Sequence, residues 1–273
     1  MSAPSSPVDT VDPGGLAAAL SALREGAPLV QCLTNVVVAQ WTANTLLAAG
    51  ASPVMVDNPQ EARACAGVAG GVLVNVGTPQ EETAAAMTEA VAGAAEAGTP
   101  WVLDPVGAGA LAWRTRIAHD LLGRHAPAVI RGNASEILAL DGGTGGKGVE
   151  GVDAAEDAMP AATALAQELG CVVAVSGRVD HVTDGERVVR VSNGSPLLTK
   201  VTGAGCALGA LMAGFTAVVA DRVVAATAAT AVFTLAAEAA ERAARGPGSF
   251  AVALLDELDR LQPAAVADGV RLS

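Results

Sequence analysis

Six short apolar runs, Leu29–Leu33, Pro53–Val56, Val72–Val76, Trp101–Leu103, Ala128–Ile130 and Val172–Val175, are separated by longer Ala-rich stretches with helical periodicity. That alternation constrains the chain more than any other feature. Runs this short and this uniformly apolar read as strands buried on both faces, and parallel neighbours need a crossover helix between them. The predicted helices are Val36–Ala49, Pro79–Ala97, Ala112–Arg124, Ala134–Leu140 and Ala154–Leu169. The expected fold is therefore α/β, in three layers, with a mostly parallel central sheet and helices on both faces. The pattern then changes. His181–Asp184 and Arg187–Val191 flank Gly185 and Glu186 as in a β-hairpin, and three more helices are predicted at Ala204–Val219, Val223–Arg245 and Ser249–Leu261.

The 273 residues suit one domain of this kind. Residues 1–15 read as a flexible N-terminal tail and 16–273 as the single domain, with 141–153 (DGGTGGKGVEGVD) an exposed glycine-rich loop. Hydrophobic residues make up 51% of the chain and aromatics only 2%, so the core is expected to be closely packed Ala, Val and Leu. A net charge of −12, with no Lys/Arg cluster, excludes a surface that tracks nucleic acid. Cys32, Cys65, Cys171 and Cys206 lie far apart without a CxxC pair, which disfavours a metal knuckle or a disulfide scaffold. The N-terminus has neither the basic start nor the apolar stretch of a signal peptide, so the expected localisation is cytoplasmic. Residues 201–220 carry no charge, but Gly, Ala and Thr dilute them, and they read as a helix buried in a soluble core with no membrane partner.

In an open α/β sheet, ligands bind beyond the carboxyl ends of the strands, so polar residues directly after apolar runs are the candidates for chemistry. Asn35 follows the first run and reads either as a helix cap or as an amide facing a ligand. Met55 follows the second and reads as core filler unless a ring stacks on it. Asp104, held by Pro105 and Gly107, is a turn opener or a carboxylate aimed at the ligand edge. In Arg131-Gly132-Asn133-Ala134-Ser135-Glu136 an acid lies in the first helical turn, where it is a dipole partner or, beside Asp104, a second carboxylate on a magnesium ion. Gly203-Ala204-Gly205-Cys206 opens a long apolar helix, and its amides together with the dipole make an anion hole. The pattern is neither a Walker A loop nor a dinucleotide fingerprint.

Taken together, LVQCLTNVVVAQWTANTLLAAGASPVMVDNPQEA, VNVGT, WVLDPVGAGAL, VIRGNASEILAL, SGRVDHVTDG and LLTKVTGAGCALGAL resemble the hydroxyethylthiazole kinase family, in order and in spacing. The resemblance implies a ribokinase-like fold, a homotrimer with the substrate site between subunits, and ATP-dependent, magnesium-assisted phosphorylation of 4-methyl-5-(2-hydroxyethyl)thiazole in thiamine salvage. It implies substrate binding by Met55, Gly203 and Asn35, nucleotide binding by Arg131 and Ser176, and magnesium-side roles for Asp104 and Glu136. Ser176 stands where the family usually has Thr, and it keeps the hydroxyl. Cys206 falls where most ribokinase-like kinases carry an Asp base. A thiol at a helix N-terminus is expected to have a lowered pKa and to take the proton of the substrate alcohol. The alternatives are a hydroxymethylpyrimidine kinase or an ATP-dependent nicotinamide-nucleotide-hydrate dehydratase, the latter expected to carry Asp after Gly-x-Gly, or a non-catalytic binding protein of the same fold.

Overall fold

The computed structural model describes residues 11–142 and 154–273. The tail residues 1–10 and the glycine-rich stretch from 143 to 153 lie outside the described residues. Strands β1 (Leu29–Leu33), β2 (Ser52–Val54), β3 (Gly71–Asn75), β4 (Trp101–Asp104), β5 (Val129–Asn133), β6 (Val172–Ser176), β7 (Asp180–Thr183) and β8 (Val188–Val191) form one sheet. Its order is β2-β1-β3-β4-β5-β6-β7-β8. The first six strands are parallel and the β7–β8 hairpin is added antiparallel, as the sequence pattern predicts.

Helices α1 (Pro13–Gly26), α2 (Ala39–Ala49), α3 (Ala62–Val68), α4 (Glu81–Ala97), α5 (Ala112–Leu122), α6 (Ala134–Leu140), α7 (Ala154–Asp157), α8 (Met159–Leu169), α9 (Ala204–Thr216), α10 (Arg222–Ala243), α11 (Pro247–Arg260) and α12 (Pro263–Gly269) cover both faces. The period of two along each strand divides the core. Val30, Cys32, Leu73, Val102, Val129 and Val172 pack with α1, α2, α9, α10 and α11. Leu33, Val72, Val74, Leu103, Ile130 and Val173 point the other way, onto α3, α4, α5, α6 and α8.

Several boundaries differ from the sequence reading. Helix α1 begins inside the expected tail, because Asp12 accepts from Gly15 N at 2.8 Å and Pro13 is preorganised for a first turn. Pro160 has no N–H to continue a helix, so the expected Ala154–Leu169 divides at Ala158. Helices α1, α3 and α12 were not expected. The charge-free stretch 201–220 yields only the 13 residues of α9. Of the described helices, α10 is long and apolar enough to cross a membrane, and 89% of its apolar window is buried inside the protein.

Candidate active site

Helix α2 starts at Ala39, capped by Val38 without a side-chain bond. Asn35 is therefore not the cap, and its side chain is free to cross the sheet edge. Its Nδ2 donates to Asn75 Oδ1 at 3.1 Å and lies 3.4 Å from Cys206 Sγ. Asn75 Nδ2 donates to Asp104 Oδ2 at 2.6 Å. Asp104 Oδ1 lies 3.8 Å from Arg131 Nη1, and Arg131 Nη2 donates to Ser176 Oγ at 2.8 Å. A continuous polar line, Cys206-Asn35-Asn75-Asp104-Arg131-Ser176, thus runs over the carboxyl ends of β1, β3, β4, β5 and β6. Five of its six members are candidates from sequence. Asn75 is not: it lies inside the apolar run Val72–Val76 and not after it, so a search just beyond the runs passes over it.

The line abuts the start of α9. Gly203 has φ +87°, the left-handed region that glycine alone enters without strain, and a Cβ there would stand 2.4 Å from Val38 Cγ1 and 3.2 Å from Trp41 Cδ1. A Cβ on Gly205 would stand 2.3 Å from Arg131 Nη1, so the guanidinium lies directly against the first turn. The Gly205 and Cys206 amides occupy helical positions that have no intrahelical acceptor. Ala204 N–H reaches Val201 O at 3.4 Å, so this member of the expected anion hole already has a turn partner.

Burial pushes the Asp104 carboxyl up to about 7; Arg131 opposes this, Glu136 adds to it, and hydrogen bonds from Asn75 and Cys206 oppose it. The expectation of a lowered Cys206 pKa is corrected here. Burial first, and then the neighbouring Asp104 charge, push the thiol up to about 11, against hydrogen bonds from Asn75 and Asn35 and the charge of Arg131. The helix terminus does not overcome a carboxylate and a lost water shell.

The residues present fit a magnesium ion of the kind that keeps most of its waters. Asp104 Oδ1 is buried without a hydrogen-bond partner among the described residues, so one carboxylate oxygen is unspent. Glu136 is more committed: Oε1 accepts from Gly107 N at 3.0 Å and Oε2 from Asn133 N at 2.9 Å, in a capping box. It serves an ion through water better than directly. Among the described residues no group of three or more His, Cys, Asp or Glu could hold a metal. Met55 lies apart from the line and from the start of α9. It follows edge strand β2 and is 39% exposed, so it is not core filler. A groove of about 610 Å³ between α8, the β7–β8 hairpin and α10, lined by Gln167, Cys171 and Arg187, shares none of these residues.

The hydroxyethylthiazole kinase family model matches residues 20–264. The chain belongs to this family. The hydroxyethylthiazole kinase of Clavibacter sepedonicus is 57% identical over 252 residues, covering 92% of this chain and 91% of that one. The structure of the hydroxyethylthiazole kinase protein from Pyrococcus horikoshii OT3 is 41% identical, covers 94% of this chain and 98% of that one, and has a TM-score of 0.87. A ribokinase-like superfamily protein from Enterococcus faecalis V583 has a TM-score of 0.61 at 12% identity, with 88% of each chain covered, which is a likeness of fold alone. The expected ribokinase-like three-layer fold and kinase family are thus both met.

Beside the site, Asp180 accepts from Gly177 N at 3.0 Å, and burial lifts its carboxyl from the usual 3.8 to about 6. The folded chain therefore holds this proton more tightly than the unfolded one, and stability falls as pH rises between the two values. Asp180→Asn is expected to remove that fall, worth at most about 3 kcal/mol. Urea titrations at about pH 4 and about pH 7 check it; an unchanged pH slope in the variant would show that Asp180 does not contribute.

Proposed function

We propose that this chain transfers the terminal phosphoryl group of ATP to the hydroxyl of 4-methyl-5-(2-hydroxyethyl)thiazole, with magnesium, for thiamine salvage in the cytoplasm. The observation that carries the reading is the polar line over the sheet edge in a chain 57% identical to a protein named for that reaction. Phosphoryl transfer has a loose transition state, so positioning and charge neutralisation do most of the catalytic work. The Gly205 and Cys206 amides and Arg131 hold the phosphoryl oxygens, with Ser176 fixing the guanidinium. Asp104, with Glu136 through water, holds the magnesium, which when bound offsets phosphate charge. Asn35, Gly203 and Met55 take the thiazole alcohol.

The assembly belongs to the same proposal. Val36 and Val37 are 79% and 66% exposed and, like Met55, follow adjacent parallel strands at one end of the sheet. A homotrimer would cover these apolar side chains and complete the substrate site between subunits.

Cys206 enters this scheme as a neutral thiol. Cys206→Ala is expected to lower kcat by about tenfold, below the ~10²–10⁴ of a full general base, and Cys206→Asp to keep substantial activity. A loss beyond that lower bound would mean that the loaded site generates the thiolate. The function itself is tested by ATP-dependent phosphorylation of a panel of vitamin-precursor alcohols, with the molar mass in solution measured on the same samples. Turnover of a hydroxymethylpyrimidine in preference to the thiazole alcohol would overturn it.

A further inference from the structure

Asn75 ends β3, between β1 and β4, and is fully buried. An amide there is costly unless every polar atom is used, and an apolar residue would pack the strand end without that demand. Its hydrogen bonds are directional. The peptide N–H of Gly77 can only donate, and it meets Oδ1 at 3.0 Å, which identifies that atom as the oxygen. The other terminal atom is then the NH2 group, and it donates to Asp104 Oδ2 at 2.6 Å. Oδ1 also accepts from Asn35 Nδ2 at 3.1 Å, so the orientation of Asn35 follows as well: its nitrogen, not its oxygen, faces Cys206 Sγ at 3.4 Å. One backbone amide thereby fixes which way the Asn75 and Asn35 amides turn, and so which of their atoms face Asp104 and Cys206.

We propose that Asn75 is the positioning residue of this site, orienting the Asp104 carboxylate on the phosphoryl side and the Asn35 amide on the alcohol side through one side chain. This rests on the kinase reading, so hydroxyethylthiazole binding and turnover by the unaltered protein are measured first. Their failure sinks both, whereas an active kinase with indifferent Asn75 variants sinks this inference alone.

Asn75→Asp keeps an oxygen for Gly77 and Asn35, loses the donations to Asp104 and Cys206, and sets a second buried carboxyl against Asp104. It is expected to lower kcat about a hundredfold and to leave the dissociation constant for hydroxyethylthiazole, measured by calorimetry without ATP or metal, within about threefold. Asn75→Ala loses both arms: kcat falls as far, and that dissociation constant rises about tenfold. Asn35→Ala raises it by a similar factor, and the double variant Asn35→Ala/Asn75→Ala binds no more weakly than either single one. Melting temperatures are followed in parallel. A role confined to packing lowers them while leaving kcat and the dissociation constant per folded molecule unchanged, and that result overturns the proposal, as does a double variant whose losses multiply. If Asn75→Asp does not fold, the Asn35/Asn75 cycle decides alone.

Discussion

Asp104→Asn is expected to lower kcat by about 10³-fold while leaving the protein folded. The two halves of this expectation have separate causes. At one carboxylate oxygen stands the Asn75 NH2 group and at the other the Arg131 guanidinium, both donors. An amide at position 104 must turn its own NH2 group toward one of them, so a donor faces a donor whichever way it lies. The site also loses the charge that offsets Arg131 and holds magnesium. The fold, by contrast, is relieved of a carboxylate whose charged form burial disfavours, which is why its pKa stands near 7. Kinetics across a magnesium titration, with melting curves on the same samples, check both halves. Full activity at low magnesium would remove Asp104 from the site.

Gly205→Ala is expected to cost about a hundredfold in kcat while leaving the melting temperature unchanged or raised. The new methyl would stand 2.3 and 2.8 Å from the two terminal nitrogens of Arg131 and 2.9 Å from Cζ. The guanidinium is the far end of a flexible side chain, so it moves and the backbone stays. Moving it breaks the bond to Ser176 Oγ and separates it from Asp104. Ala is also the better helix former by about 1 kcal/mol. Arg131→Ala should show the same kinetic loss, and the double variant should be no worse than either. A Gly205→Ala protein with unaltered kcat and KM for ATP would mean that Arg131 does not act from its place against α9.

The sheet and most helices were legible because burial on both faces leaves a near-continuous apolar strand, and helices leave a wider period. Residues Asn35, Asp104 and Arg131 were legible because each stands just beyond the end of an apolar run, Cys206 because it follows a Gly-x-Gly turn that opens a helix, and Ser176 only through the family resemblance. What local pattern does not carry is the direction in which a side chain turns. Asn35 reads equally well as a cap until α2 is seen to start at Ala39. Asn75 has no charge and no adjacent glycine pair to draw notice, and its importance comes from neighbours 40 residues before and 29 after it. The direction of the Cys206 shift was misjudged for a related reason. The helix terminus is a local feature, whereas the burial and the Asp104 charge that outweigh it are brought there by the fold.

The packing of Trp41 against Gly203 gives the chain an optical property. The sequence holds three Trp and no Tyr, so its near-ultraviolet emission comes from indoles alone. Trp101 is sealed in the core with its Nε1 donating to Ala126 O at 3.1 Å, and Trp113 lies partly in solvent on α5. Trp41 Cδ1 borders the glycine that opens α9, and its buried Nε1 has no partner among the described residues. Its emission therefore reports on the surroundings of the first turn of α9, the proposed phosphoryl site. Ligand arrival can be followed by mixing and watching fluorescence, with no coupled enzyme and no added dye.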